Sequence, residues 1–217
     1  MEGRIKSHRL RLLEEIANSI TCGIGLCLSI AGLVILVVLA NFHRGAFRVV
    51  SLSIYGASLI FLYLTSTLYH ALQCRRAKHV FEIMDHSAVY VLIAGTYTPF
   101  MLVALKGVWG WSLFGVVWSL AVFGIVFKSF HVKRFKVFSN AVYLAMGWLV
   151  VIAIQPMIKT LPFGAIAWLL AGGLLYSAGV LFYVFEKLPF GHTVWHLFVL
   201  GGSLCHFFSI FFYVLPM

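Results

Sequence analysis

Seven stretches of about twenty mostly apolar residues divide this chain, at roughly 17–41, 49–72, 87–105, 109–128, 138–158, 164–186 and 192–215. Hydrocarbon offers a backbone no hydrogen-bond partner, so a segment that crosses it must satisfy its own N–H and C=O groups. An α-helix does this within one segment. The expected fold is therefore an all-α membrane protein of seven transmembrane helices, with a polar arm over residues 1–15 and a seven-helix domain over 16–217. Composition agrees: 62% of the residues are hydrophobic and 10% are charged, where a soluble domain is nearer a quarter charged. The first apolar run is too long for a signal-peptide core and no small-residue cleavage site follows it, so it is expected to stay in place.

Sixteen Lys and Arg stand against six Asp and Glu, a net charge of +10. In a soluble chain that excess would point to nucleic acid. Here the basic residues lie in the arm and in short connections, where they set topology and imply no nucleic-acid partner. Arg4, Lys6, Arg9, Arg11, Arg75, Arg76, Lys78, Lys128, Lys133, Arg134, Lys136 and Lys187 fall on one side, and Arg44, Arg48, Lys106 and Lys159 on the other. This asymmetry places the N-terminus in the cytoplasm and the C-terminus outside, in the cell inner (plasma) membrane. A G-protein-coupled receptor has the opposite orientation, and a retinal protein needs a lysine in its last span, where residues 192–215 have none.

Ionisable side chains next to hydrocarbon are costly and point to function. His70 closes the second stretch. Asp85, the sole aspartate, opens the third. His192 and His196 open the last. With the topology above, all four sit at one depth on the cytoplasmic side. His192 and His196 are one turn apart and differ by about 40° around a helix, so they can bind one ion together. Ser66 shares the face of His70. Three imidazoles with a fourth position open are the ligand set of a catalytic zinc. Asp85 would then hold or deprotonate a water and Ser66 would donate to a developing oxyanion, for hydrolysis of an amide or ester at the membrane boundary. Asp85 also suits the N-cap of the third helix, alone or in addition. Ser203 and His206 continue the polar face of the last span, and His206 reads either as a support to the ligands from behind, the favoured role, or as a buried hydrogen bonder. His192 and His206 have the spacing for two stacked haems, about 21 Å of rise, but no histidine stands opposite the upper one. His8, His43, His79 and His131 read as solvated, and His86 is open beside Asp85. Cys22, Cys27, Cys74 and Cys205 read as free thiols.

The same residues carry a resemblance. The runs Glu14–Ser19 (EEIANS), Ser66–His70 (STLYH), Phe81–Tyr90 (FEIMDHSAVY), Ala94–Pro99 (AGTYTP) and His192–His196 (HTVWH), with His206, occur in this order along nearly the whole chain. Together they resemble the hemolysin III family, closest to its bacterial inner-membrane members. That family is similar to the progestin and adiponectin receptors and, more distantly, to alkaline ceramidases. The resemblance implies seven helices with a cytoplasmic N-terminus. It implies zinc on His70, His192 and His196 with Asp85 and Ser66 as the associated polar pair, and a membrane lipid or lipid-like substrate. It also implies a part in membrane lipid homeostasis. One position departs: relatives commonly have histidine where Cys22 stands, leaving its thiol as either an extra metal neighbour or a packing group. Three functions remain open: a zinc-dependent lipid hydrolase, a lipid sensor with structural zinc closed by Cys22, and a cytolysin. The uncleaved, committed topology argues against a secreted pore.

Overall fold

The computed structural model of the chain describes residues 2–42, 45–130, 136–184 and 188–217, with side chains for 9–42, 45–130, 138–184 and 188–217. Arg44, Lys133, Arg134, Lys187, His43 and His131 lie outside the described residues, as do the side chains of Arg4, Lys6, His8 and Lys136. Among the described residues all regular structure is helical, and seven helices are long and apolar enough to cross a membrane. They are α1 (Glu2–Asn41), α2 (Ala46–Ala71), α3 (Arg75–Pro99), α4 (Gly107–Phe130), α5 (Lys136–Gly147), α6 (Phe163–Val184) and α7 (Gly191–Ser209). Three of them continue past these bounds in altered winding. Wider π turns carry α3 through Phe100–Leu105 and α7 through Ile210–Val214, and α5 runs on through a tighter 3₁₀ stretch, Trp148–Ala153, to Ile154–Thr160.

The expected spans match the observed ones except at two starts. α1 is helical from Glu2, so the polar arm and the first span are one rod. α3 begins at Arg75, with Cys74 as its N-cap, because Arg75–His86 is polar yet free of helix breakers. Asp85 therefore sits about three turns inside α3 and does not cap it. The connection between α3 and α4 turns on Lys106 (φ 45°) and Gly107 (φ 59°), the second of which carries no Cβ penalty there.

Lipid tails are as apolar as leucine, so close packing and internal hydrogen bonds hold the helices together. α2 and α3 are the most enclosed spans. They meet where Gly95 lies against the Ser58 side chain, and Tyr63 of α2 fills the notch at Gly25 of α1. The break in α5 has a specific cause. The Tyr97 hydroxyl of α3 donates to Gly147 O at 2.6 Å and accepts from Val150 N–H at 2.8 Å. A side chain inserted into the helical ladder in this way, one turn and more before Pro156, overwinds the stretch between.

A methyl group at Gly95 would overlap both Cβ and Oγ of the buried Ser58, whereas nothing lies within 4 Å of one at Gly115. Gly95→Ala is therefore expected to destabilise the protein by about 1–3 kcal/mol. Gly115→Ala should leave stability within about 0.5 kcal/mol of wild type, both read from unfolding in detergent.

Candidate metal centre and its cavity

His70 lies in the last turn of α2, and His192 and His196 in the first two turns of α7. His70 and His196 are only 4% and 6% exposed. One ring nitrogen from each of the three lies within 4.8 Å of the others, and the Nε2 atoms of His70 and His196 are 3.2 Å apart. The Nε2 of His192 is buried without a hydrogen-bond partner. On its outer edge His70 Nδ1 is 2.7 Å from Glu15 Oε2. A carboxylate only accepts, so Nδ1 carries a proton, and in the neutral ring, the form that binds a metal, Nε2 turns a lone pair into the cluster. Three inward nitrogens that share a single contact, one of them orphaned, suit a cation with imidazole ligands.

Much of the support comes from α1. Glu15, Asn18 and Cys22 fall on one face of that helix, and each reaches a different part of the centre. Glu15 holds His70 with one oxygen and Lys78 Nζ with the other, at 2.9 Å. Asn18 Oδ1 accepts from Thr193 Oγ1 at 2.6 Å, beside His192. Cys22 Sγ donates to Ser66 Oγ at 3.3 Å. The thiol is fully buried and is not among the clustered ligand atoms. Its extra-ligand reading therefore gives way to a bond to Ser66. Glu15 was legible only as spacing: positions 15, 18 and 22 recur at i, i+3 and i+7 across the EEIANS run and the turn after it.

The Asp85 carboxylate lies near Ser66, His70 and His86, with Oδ2 4.0 Å from His86 Nδ1. Ser66, Asp85 and His196 line one end of a cavity of about 170 Å³. The cavity follows the bundle axis, with apolar residues along most of its wall, to Met101, Met157 and Ile166 near the opposite face. His86 bonds elsewhere: Nδ1 donates to Glu82 O at 2.7 Å, and Nε2 is 3.2 Å from the Tyr183 hydroxyl.

His206 does not support the ligands. It lies ten residues beyond His196, about 15 Å along α7, and its Nε2 donates to Leu169 O of α6 at 3.3 Å. Ser203 does face inward, as its position on the polar stripe implied. The hydroxyls of Tyr63 and Tyr176 each meet its Oγ at 2.9 Å, and Tyr55 reaches its carbonyl at 3.4 Å.

Seven membrane-capable helices with a three-histidine cluster among them define a multi-pass membrane protein with a candidate metal centre. The sequence matches the family described as Haemolysin-III related over residues 10–207. It is 52% identical to "Hemolysin-3" of Bacillus cereus over 203 residues, covering 94% of this chain and 93% of that protein. It is 53% identical to the "Hemolysin-3 homolog" of Bacillus subtilis (strain 168) over 200 residues, covering 92% and 94%. The chain belongs to the haemolysin III family. The human "Monocyte to macrophage differentiation factor" is similar at 28% identity over 167 residues, covering 74% of this chain and 69% of that one. No solved structure matches.

Removing the Ser203 hydroxyl would strand two tyrosine hydroxyls in the bundle. Ser203→Ala is expected to cost about 1–2 kcal/mol in detergent unfolding, and Tyr63→Phe in the same background should cost less than it does alone, because the partner is already gone.

Proposed function

We propose that this protein is a zinc-dependent hydrolase of a lipid-like amide or ester, working near the cytoplasmic face of the cell membrane in membrane lipid homeostasis. The observation that carries this reading is a coincidence in one largely apolar cavity: His196 of the three-histidine cluster lines it together with Asp85 and Ser66. His70, His192 and His196 would hold the zinc, whose chemistry when bound is to acidify water and polarise a carbonyl. Asp85 takes the proton from the attacking water and returns it to the departing amine or alkoxide. Ser66, whose oxygen accepts from the Cys22 thiol, keeps its own proton to donate at the reacting carbonyl. The apolar wall receives the hydrocarbon chain and keeps bulk water from the bond under attack. The position of Cys22 favours catalysis over a closed structural centre, since its thiol is engaged with Ser66 and leaves a coordination direction open.

The reading requires about one zinc per chain in purified protein, lost in His70→Ala and His196→Ala. Asp85→Asn should keep the metal and abolish lipid turnover in membranes that carry it. Purified protein devoid of zinc, or a fully active Asp85→Asn variant, would sink the proposal.

The inside position of the N-terminus has its own check. Cys74 stands in the connection between α2 and α3 and is exposed, whereas Cys22, Cys27 and Cys205 lie within apolar spans. Backbone N–H groups of Ala77 and Arg76 lower the Cys74 thiol pKa below its ordinary value, which favours the reactive thiolate. A membrane-impermeant maleimide should label Cys74 in inside-out vesicles and not in intact right-side-out cells. The reverse pattern would invert the topology.

A further inference from the structure

We propose that Glu15 is a positioning residue for the metal centre: its carboxylate fixes His70 in the tautomer that turns Nε2 inward, so that the first helix sets the affinity of a site whose ligands lie on the second and the last. This rests on the zinc reading above. A neutral imidazole has one ring proton, and which nitrogen carries it is decided by the partner of the other. Among the described residues the partner of His70 Nδ1 is Glu15, at 2.7 Å, and a carboxylate cannot donate. The proton is therefore on Nδ1 and Nε2 is bare, which is the form a metal requires.

The carboxylate is itself held. Its second oxygen takes Lys78 Nζ at 2.9 Å. The same ammonium stands 5.2 Å from the centre of the Tyr69 ring, and that ring packs at 4.8 Å on His70. Glu15, Lys78, Tyr69 and His70 thus close a ring of contacts around the outer edge of one imidazole, joining α1, α2 and the start of α3. Neither His192 nor His196 has a carboxylate bonded to it among the described residues. His70 is therefore the ligand whose orientation depends on a charged partner, and that partner is 55 residues away in the chain. Carboxylates that orient ligating histidines raise ligand basicity as well as fixing the ring.

The test is zinc affinity of the full-length protein in detergent, by competition with a chelator of known affinity. Thermal unfolding of the metal-free form is measured alongside it. Glu15→Ala should weaken zinc binding about ten- to hundredfold while still reaching one zinc per chain at saturation. Glu14→Ala, one residue earlier on the same helix and turned away by about 100°, should bind as wild type does. If Glu15→Ala fails to fold, Glu15→Gln replaces it: the shape is kept, the charge is lost, and weakening of several-fold is expected. A purely structural role would lower metal-free stability in the Glu15 variants and leave zinc affinity as in wild type, and that result overturns the proposal. Wild-type protein that binds no zinc would instead overturn the parent reading, so the two failures are told apart by the wild-type titration alone.

Discussion

Hydrocarbon cannot hydrogen-bond, so the polar groups buried among these helices depend on partners inside the bundle. The consequences run through the molecule. Thr65, Thr96 and Thr98 turn their hydroxyls back to carbonyls of their own helices. Three tyrosines converge on Ser203. Tyr97 serves a carbonyl and an amide where α5 is broken. Among the described residues the accounting stays open at Ser87 Oγ, at His206 Nδ1 and at the histidine cluster, where His192 keeps a buried nitrogen without a partner and its neighbours turn further nitrogens toward the same point. A centre that internal bonding leaves incomplete is the natural place to look for a ligand from outside.

The spans, the three histidines and Asp85 were legible because their signals are local. Twenty apolar residues need no tertiary context to be read, and an ionisable side chain inside such a run is conspicuous. Loop charge then converts sequence position into depth, which brings His70 and Asp85 level with the pair on α7.

What escaped was what hydropathy cannot see. Glu15 lies at the border of a polar arm, and a window that measures apolar length places it outside the bundle. The helix nevertheless continues through it, and an extra turn or two carries the carboxylate to His70. The early start of α3 was hidden for the same reason, since Arg75–His86 is helical without being apolar, and this alone misled the reading of Asp85 as a cap. His206 shares an angular face with His192 and His196, but the angle says nothing of the rise that separates them. Cys22 was visible as a departure from its relatives, yet only packing could assign it to Ser66.

The contacts between α1 and α7 join residues 175 positions apart, Asn18 with Thr193, and the candidate ligands are split between the second helix and the last. A chain made from its N-terminus inserts α1 and α2 long before α7 exists. During that interval both His70 and Glu15 have been made, while the histidines that supply the other two nitrogens of the centre have yet to be synthesised. The centre can thus be completed only after translation is nearly over, which makes it a record of finished assembly: a chain that stops short of residue 192, or one whose last helix enters the wrong way round, never assembles it.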